Sequence, residues 1–96
     1  MTHPEEGARE FARRLVELRV AACCNLVPVT SVYRWQGQVE EDGEVLLVVK
    51  TREGRLGELQ AALDEHHPYD VPELVALTPD HVAAPYLAWL EGEVAG

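Results

Sequence analysis

Two adjacent histidines, His66 and His67, precede the stiff run Pro68-Tyr69-Asp70-Val71-Pro72. Neutral imidazole is a ligand for copper, zinc and nickel, so the pair is a candidate metal site. The competing reading is structural, with helix-end histidines flanking a rigid Pro-Tyr turn. It has force because neighbours in sequence rarely converge on one ion, whereas i, i+4 pairs do. Cys23 and Cys24 are also adjacent. Neighbouring Cα atoms lie about 3.8 Å apart, short of the roughly 4.4–6.8 Å of a relaxed disulfide. Within a strand the two point to opposite faces, so one thiol packs inward and the other is open to metal or oxidant. The expectation puts Cys23 in the core as a small hydrophobe. Met1-Thr2-His3 adds a third arrangement: a free amine, two backbone amides and a third-position imidazole form a square-planar Cu(II) or Ni(II) site. It exists only while Met1 remains the first residue. Glu40, Glu41, Asp42 and Glu44 crowd together. They lack the spacing of a calcium loop and read as a solvated charged turn.

A second set of residues suits contact rather than catalysis. Tyr33-Arg34-Trp35 combines the three residue types enriched at interface centres. It reads as a subunit contact, with an intrachain cluster with Tyr86 and Trp89 as the alternative. Tyr69 and Glu73 flank the second proline. A glutamate opening an apolar strand requires a partner, for which Lys50 and Arg34 are candidates, and a ligand cleft between subunits would use the same residues. Enzyme chemistry has little to build on. No glycine-rich phosphate loop precedes a helix, no nucleophile elbow is present, and no base is paired recognisably with a nucleophile. We therefore expect no catalytic residues and no organic cofactor.

These residues must be carried by a small α/β framework. Ala8, Phe11, Ala12, Leu15 and Leu18 recur at helical spacing, predicting a helix over Pro4–Leu18. Cys24–Val39 reads as a long strand, with Pro28 removing one ladder bond. Asp42-Gly43 carries a hairpin-turn signal, and Val45–Val49 is an apolar run typical of a covered strand. Gly54 and Gly57 open a second helix that ends before Pro68. Glu73–Thr78 reads as a short strand, and Pro85 starts a last helix ended by Gly92. The order is α-β-β-α-β-α, an α/β sandwich with helices on one face. One strand ahead of the first helix would make it the ferredoxin-like βαββαβ arrangement, with an extra C-terminal helix.

Composition narrows the function. The 96 residues allow one domain, with 47% hydrophobic residues against 26% charged, the balance of an ordinary globular chain. Eight basic residues face 17 acidic ones, a net charge of −9, which repels nucleic acid and anionic membranes. No apolar run reaches the roughly 18 residues of a membrane span. No signal-peptide pattern is visible at Met1, and the absence of a disulfide framework suits a reducing cytoplasm.

Five linked segments carry a family resemblance: Ala21-Ala22-Cys23-Cys24-Asn25-Leu26-Val27-Pro28, Ser31-Val32-Tyr33-Arg34-Trp35-Gln36-Gly37, Leu47-Val48-Val49-Lys50-Thr51, His66-His67-Pro68-Tyr69-Asp70-Val71-Pro72-Glu73 and Tyr86-Leu87-Ala88-Trp89-Leu90. In this order and spacing the chain resembles the CutA family of divalent-cation-tolerance proteins, from Thr2 to about Glu91. The resemblance implies a ferredoxin-like subunit, a tight homotrimer, cytoplasmic residence, a role in tolerance to copper and other divalent cations, and a likeness to PII-type signalling trimers. It also implies that Cu(II) or another divalent cation, where bound, is held at His66 and His67. Cys23 or Met1 would assist, Met1 standing where relatives carry a cysteine on the first strand. Thr2-His3-Pro4 matches the step that follows that strand in the family, so the strand itself is expected upstream of Met1, missing or truncated in this numbering.

Overall fold

The structure, a computed structural model, describes residues 1–95. Strand β1 (Thr2–Pro4) leads into helix α1 (Ala8–Glu17), then the hairpin β2 (Cys23–Trp35) and β3 (Gln38–Lys50), a 3-10 turn at Glu53–Arg55, helix α2 (Leu56–His66) and helix α3 (Ala84–Val94). The three strands form one antiparallel sheet in the order β1-β3-β2. This is the ferredoxin-like α+β arrangement read from the sequence, with a C-terminal helix added.

The first strand is short but present. Thr2 pairs with Leu46, His3 with Val45 and Pro4 with Glu44. The Met1 amine donates to the Leu47 carbonyl at 3.1 Å, and Leu47 N–H donates to the Met1 carbonyl at 2.7 Å. Residues expected only to follow the strand thus form a stub of it. Helix α1 accordingly begins at Ala8 rather than Pro4. Gly7, at φ 85°, makes the left-handed corner between strand and helix that a residue with a Cβ resists. Ala8, Phe11, Ala12 and Leu15 form the buried stripe as the spacing predicts. Leu18 does not join it. It caps the helix and stays half exposed, because the chain turns away at Arg19, φ 60°.

The hairpin turn lies elsewhere than Asp42-Gly43. Trp35 pairs with Gln38, and the two-residue loop is Gln36-Gly37, with φ 49° and 81°. Two successive positive φ values are those of a type I′ turn, whose twist matches the flanking strands. Asp42 and Gly43 sit inside β3 opposite Ser31 and Thr30, so the hairpin is a ladder of 13 residues on each side rather than a long strand Cys24–Val39 followed by a short one at Val45–Val49.

The core lies between the sheet and helices α1 and α2. Phe11, Leu15, Leu47, Leu59, Leu63 and the Met1 side chain form its centre. Cys24, not Cys23, packs against this cluster, which reverses the expected assignment: the alternation of β2 turns Cys24 inward with Leu26. Burial pushes the Cys24 thiol up to about 11. Helix α3 makes a second, smaller cluster through Ala22, Leu90 and Val94. Arg55 Nε donates to the Val94 carbonyl at 2.6 Å and Arg19 to that of Glu93 at 3.0 Å, so two cations satisfy carbonyls at the end of the helix.

Residues 73–78 form no strand, contrary to the apolar pattern. Leu74 packs on the core, but Val75 is 66% and Leu77 88% exposed. The segment begins beside Met1, whose amine lies 3.9 Å from Glu73. A three-residue β1 offers it no further ladder of backbone groups.

Candidate functional site

His67 caps α2, its backbone N–H donating to the Leu63 carbonyl at 2.9 Å. Its ring turns inward and uses both nitrogens. Nε2 lies 2.8 Å from the Thr2 carbonyl, and Nδ1 accepts the Tyr69 backbone N–H at 3.1 Å. A carbonyl only accepts, so Nε2 carries the proton and Nδ1 spends its lone pair on Tyr69. The ring is neutral, and burial lowers its pKa below the ordinary 6.5 against the raising effect of the Thr2 bond. In this orientation no lone pair of His67 is free for a metal.

The ring also anchors an aromatic cluster. His3, Phe11 and Tyr69 surround it at centroid distances of 4.9, 5.7 and 4.9 Å. His3 is itself buried, stacks on Phe11 at 5.1 Å and bonds its Nδ1 to the Pro4 carbonyl at 2.8 Å. The end of α2, strand β1 and the loop after Pro68 are thereby pinned to one another.

The other proposed ligands are dispersed. His66 turns outward, its Nε2 3.6 Å from a Glu65 carboxylate oxygen. The Met1 side chain is in the core and its amine is spent on Leu47. His3 is held by Pro4 and Phe11 rather than folded back onto that amine. Cys23 is half buried on β2. Among the described residues no group of three or more His, Cys, Asp or Glu side chains is placed to hold a metal ion.

The residues read as a contact or cleft fare differently. Tyr33, Trp35, Tyr69 and Glu73 line one cavity of about 710 Å³, between the outer part of the hairpin and the loop that follows α2. Arg34 is exposed and does not line it. Neither Arg34 nor Lys50 partners Glu73, which faces the Met1 amine instead. Tyr86 and Trp89 stack on each other at 5.4 Å, apart from the hairpin aromatics.

Glu44, expected in a solvated charged turn, is instead buried inside β3, opposite Pro4 and Val29. It lines the cavity beside Tyr69, is 5% exposed, and accepts the Tyr69 hydroxyl at 2.7 Å. The available signal was a carboxylate abutting the apolar run Val45–Val49, which on its own reads as a solvated strand end. Asp42 repeats the motif, accepting the Tyr33 hydroxyl at 2.6 Å. That bond is the main cause pushing the Tyr33 phenol up to about 12. Burial, then the Glu44 bond, pushes Tyr69 higher still. Both phenols stay protonated and give their protons to carboxylates.

Comparison with known proteins agrees with the fold and the motifs. The family model described as "CutA1 divalent ion tolerance protein" matches residues 1–93. The chain belongs to this family. It is 52% identical over 87 residues to the divalent-cation tolerance protein CutA of Thermus thermophilus, covering 90% of this chain and 84% of that protein. It is 45% identical over 87 residues to mouse protein CutA, covering 90% of this chain and 49% of the mouse protein. The chain thus spans about half the length of that mammalian relative. Among solved structures it superposes on the "PII-like protein CutA" of Nostoc sp. PCC 7120 in apo form with a TM-score of 0.93 at 35% identity, covering 98% of this chain and 92% of that one. Family and fold are those the five sequence segments imply. No helix among the described residues is long and apolar enough to cross a membrane.

Proposed function

We propose that this chain acts as a non-catalytic homotrimer in the tolerance of divalent cations, through recognition of a small ligand in the Tyr69–Glu44 cleft rather than chelation at its histidines. The observation that carries this reading is the apolar surface left open in the cleft lining, at Val32 and Val71, and beyond it on the hairpin and segment 73–78. Val32 and Val39 on the hairpin are 64% exposed, Val71 is 69% and Leu77 88% exposed. Apolar exposure of this extent calls for a covering partner. The free long edge of β2 and the extended segment 73–78 are different surfaces on opposite sides of the sheet order. Joining one to the other is a head-to-tail contact, which makes a ring of identical subunits where its rotation closes. The family resemblance supplies the number three. A cleft bordered by both surfaces would gain its remaining wall from the neighbour, which suits a PII-like ligand-responsive trimer. The free thiols Cys23 and Cys24 support residence in the cytoplasm.

A second reading, direct copper binding, is favoured by the partial exposure of the His66 ring beside Glu65. Native mass spectrometry before and after addition of Cu(II) separates the two. The expected result is a trimer whose mass is unchanged by copper. One copper per subunit, lost in His66→Ala with assembly intact, would replace the ligand reading with the chelation reading. A monomer would overturn the assembly.

A further inference from the structure

We propose that the cleft is built for a small organic ammonium ion, with Glu44 as its counter-charge and Trp35, Tyr33 and Tyr69 as its aromatic wall. The inference rests on the ligand-recognition reading above and names the class of ligand.

Glu44 carries the argument. Glu44 as a residue is 5% exposed and lines the cavity, yet among the described residues its carboxylate receives one hydrogen bond, from the Tyr69 hydroxyl. An ionised carboxylate offers about four acceptor sites, so one bond leaves most of its capacity for a cationic ligand. No ammonium, guanidinium or imidazole lies within ion-pair distance of it among the described residues. Glu73, by contrast, has the Met1 amine at 3.9 Å.

The rest of the lining has the same sign. Asp70 and Glu73 add carboxylates, and no lysine or arginine lines the cavity. The Tyr33 and Tyr69 hydroxyl protons are already spent on Asp42 and Glu44, so towards a ligand these oxygens can only accept. The site's side-chain donors are neutral, the Trp35 indole and the Ser31 and Thr2 hydroxyls, and its charges are all carboxylates, which suits a positively charged ligand and repels phosphates and carboxylates. Aromatic faces attract cations through the ring quadrupole, tryptophan most strongly. Trp35 remains 43% exposed and Tyr33 40%, leaving ring surface for such contact. A bare metal ion fits less well. The cavity measures about 710 Å³, the size of a small-molecule site, and no three potential ligands converge in it.

The test uses choline and its uncharged isostere 3,3-dimethylbutan-1-ol, titrated calorimetrically into the whole protein at matched ionic strength. Choline is expected to bind at least about tenfold more tightly than the isostere. Glu44→Gln should remove most of that preference, and Trp35→Leu should weaken choline by a similar factor. Native mass spectrometry of each variant reports assembly, so that ligand loss is read only in a protein of unchanged oligomeric state. Trp35→Leu keeps the test open should Glu44→Gln fail to fold. Equal binding of choline and the isostere, weakened alike by Trp35→Leu, would overturn the charge assignment and leave the ligand-recognition reading standing. No binding of choline, or choline binding indifferent to both variants, would overturn the proposal. A thermal shift by a neutral or anionic metabolite that depends on Tyr69 would then show that the cleft still takes a ligand of another class.

Discussion

His67 shows how a residue's chemistry is set by what its atoms touch. Imidazole can ligate, titrate or donate, and here the Thr2 carbonyl and the Tyr69 amide take one nitrogen each. The group facing it from β1 is His3, and Glu44 stands nearby on β3. Because burial lowers its pKa below 6.5, the unfolded chain takes up a proton before the folded one does. Stability from this neutral ring is fully present above about pH 6.5 and is lost as pH falls towards the folded value. Urea unfolding at pH 7.5 and pH 5.5 should show a loss of stability that shrinks in His67→Phe; an equal loss in both proteins would shift the cause to His3 or the carboxylates. Tyr69→Phe removes the donor to Glu44 and should cost about 1 kcal/mol of unfolding free energy. The thiols make a separate case. Cys24, at about 11, holds little thiolate at pH 8, and thiolate is the reactive form. Peptide mapping after brief iodoacetamide treatment should find Cys23 alkylated well before Cys24.

Among the elements, the hairpin was the least legible. The turn signal read in the sequence, Asp42-Gly43, lies within β3, and the chain turns instead at Gln36-Gly37, a pair that reads as part of a strand. The reason is cumulative: a turn at 36–37 allows 13 consecutive pairs from Cys23↔Lys50 to Trp35↔Gln38, and a ladder outweighs one local preference. Gly37 at φ 81° has open space around its Cα, so Gly37→Ala is penalised by backbone strain alone, about 1–2 kcal/mol. Gln36→Asn, which suits a positive φ better, should raise the melting temperature. Calorimetry of the two variants checks the turn, and an unaffected Gly37→Ala would place it elsewhere. The stripe of helix α1, Ala8, Phe11, Ala12 and Leu15, was readable because it is a local periodicity, whereas the start of the helix, expected at Pro4, was not, because strand β1 takes Thr2–Pro4. Segment 73–78 was not, because an apolar pattern states that residues want covering without stating by what.

That uncovered surface matters for the protein as a unit. A chain of 96 residues buries only about two-thirds of its unfolded area, and here Val75, Leu77, Leu87 and Trp89 remain outside. Assembly would add what the single core lacks, and stability would then depend on protein concentration. Leu77→Asp puts a charge on the most exposed leucine. It should leave the helix content of the subunit unchanged by circular dichroism while shifting the mass in solution from trimer towards monomer by light scattering. An intact trimer in Leu77→Asp would remove segment 73–78 from the interface. The net charge of −9 adds mutual repulsion between subunits, so added salt should strengthen association.

Periodicity, punctuation by proline and glycine, and five ordered motifs were enough for the family and the two core helices, because each is a property of neighbours along the chain. The contacts that give the site its chemistry join residues far apart in sequence: Tyr69 with Glu44, His67 with Thr2, Glu73 with Met1. Whether a histidine has a free lone pair, which of two adjacent thiols is buried, and whether a glutamate keeps water or loses it all depend on those meetings. Residue type sets what an atom is able to do; the fold sets what is left for it to do once its neighbours have taken their share.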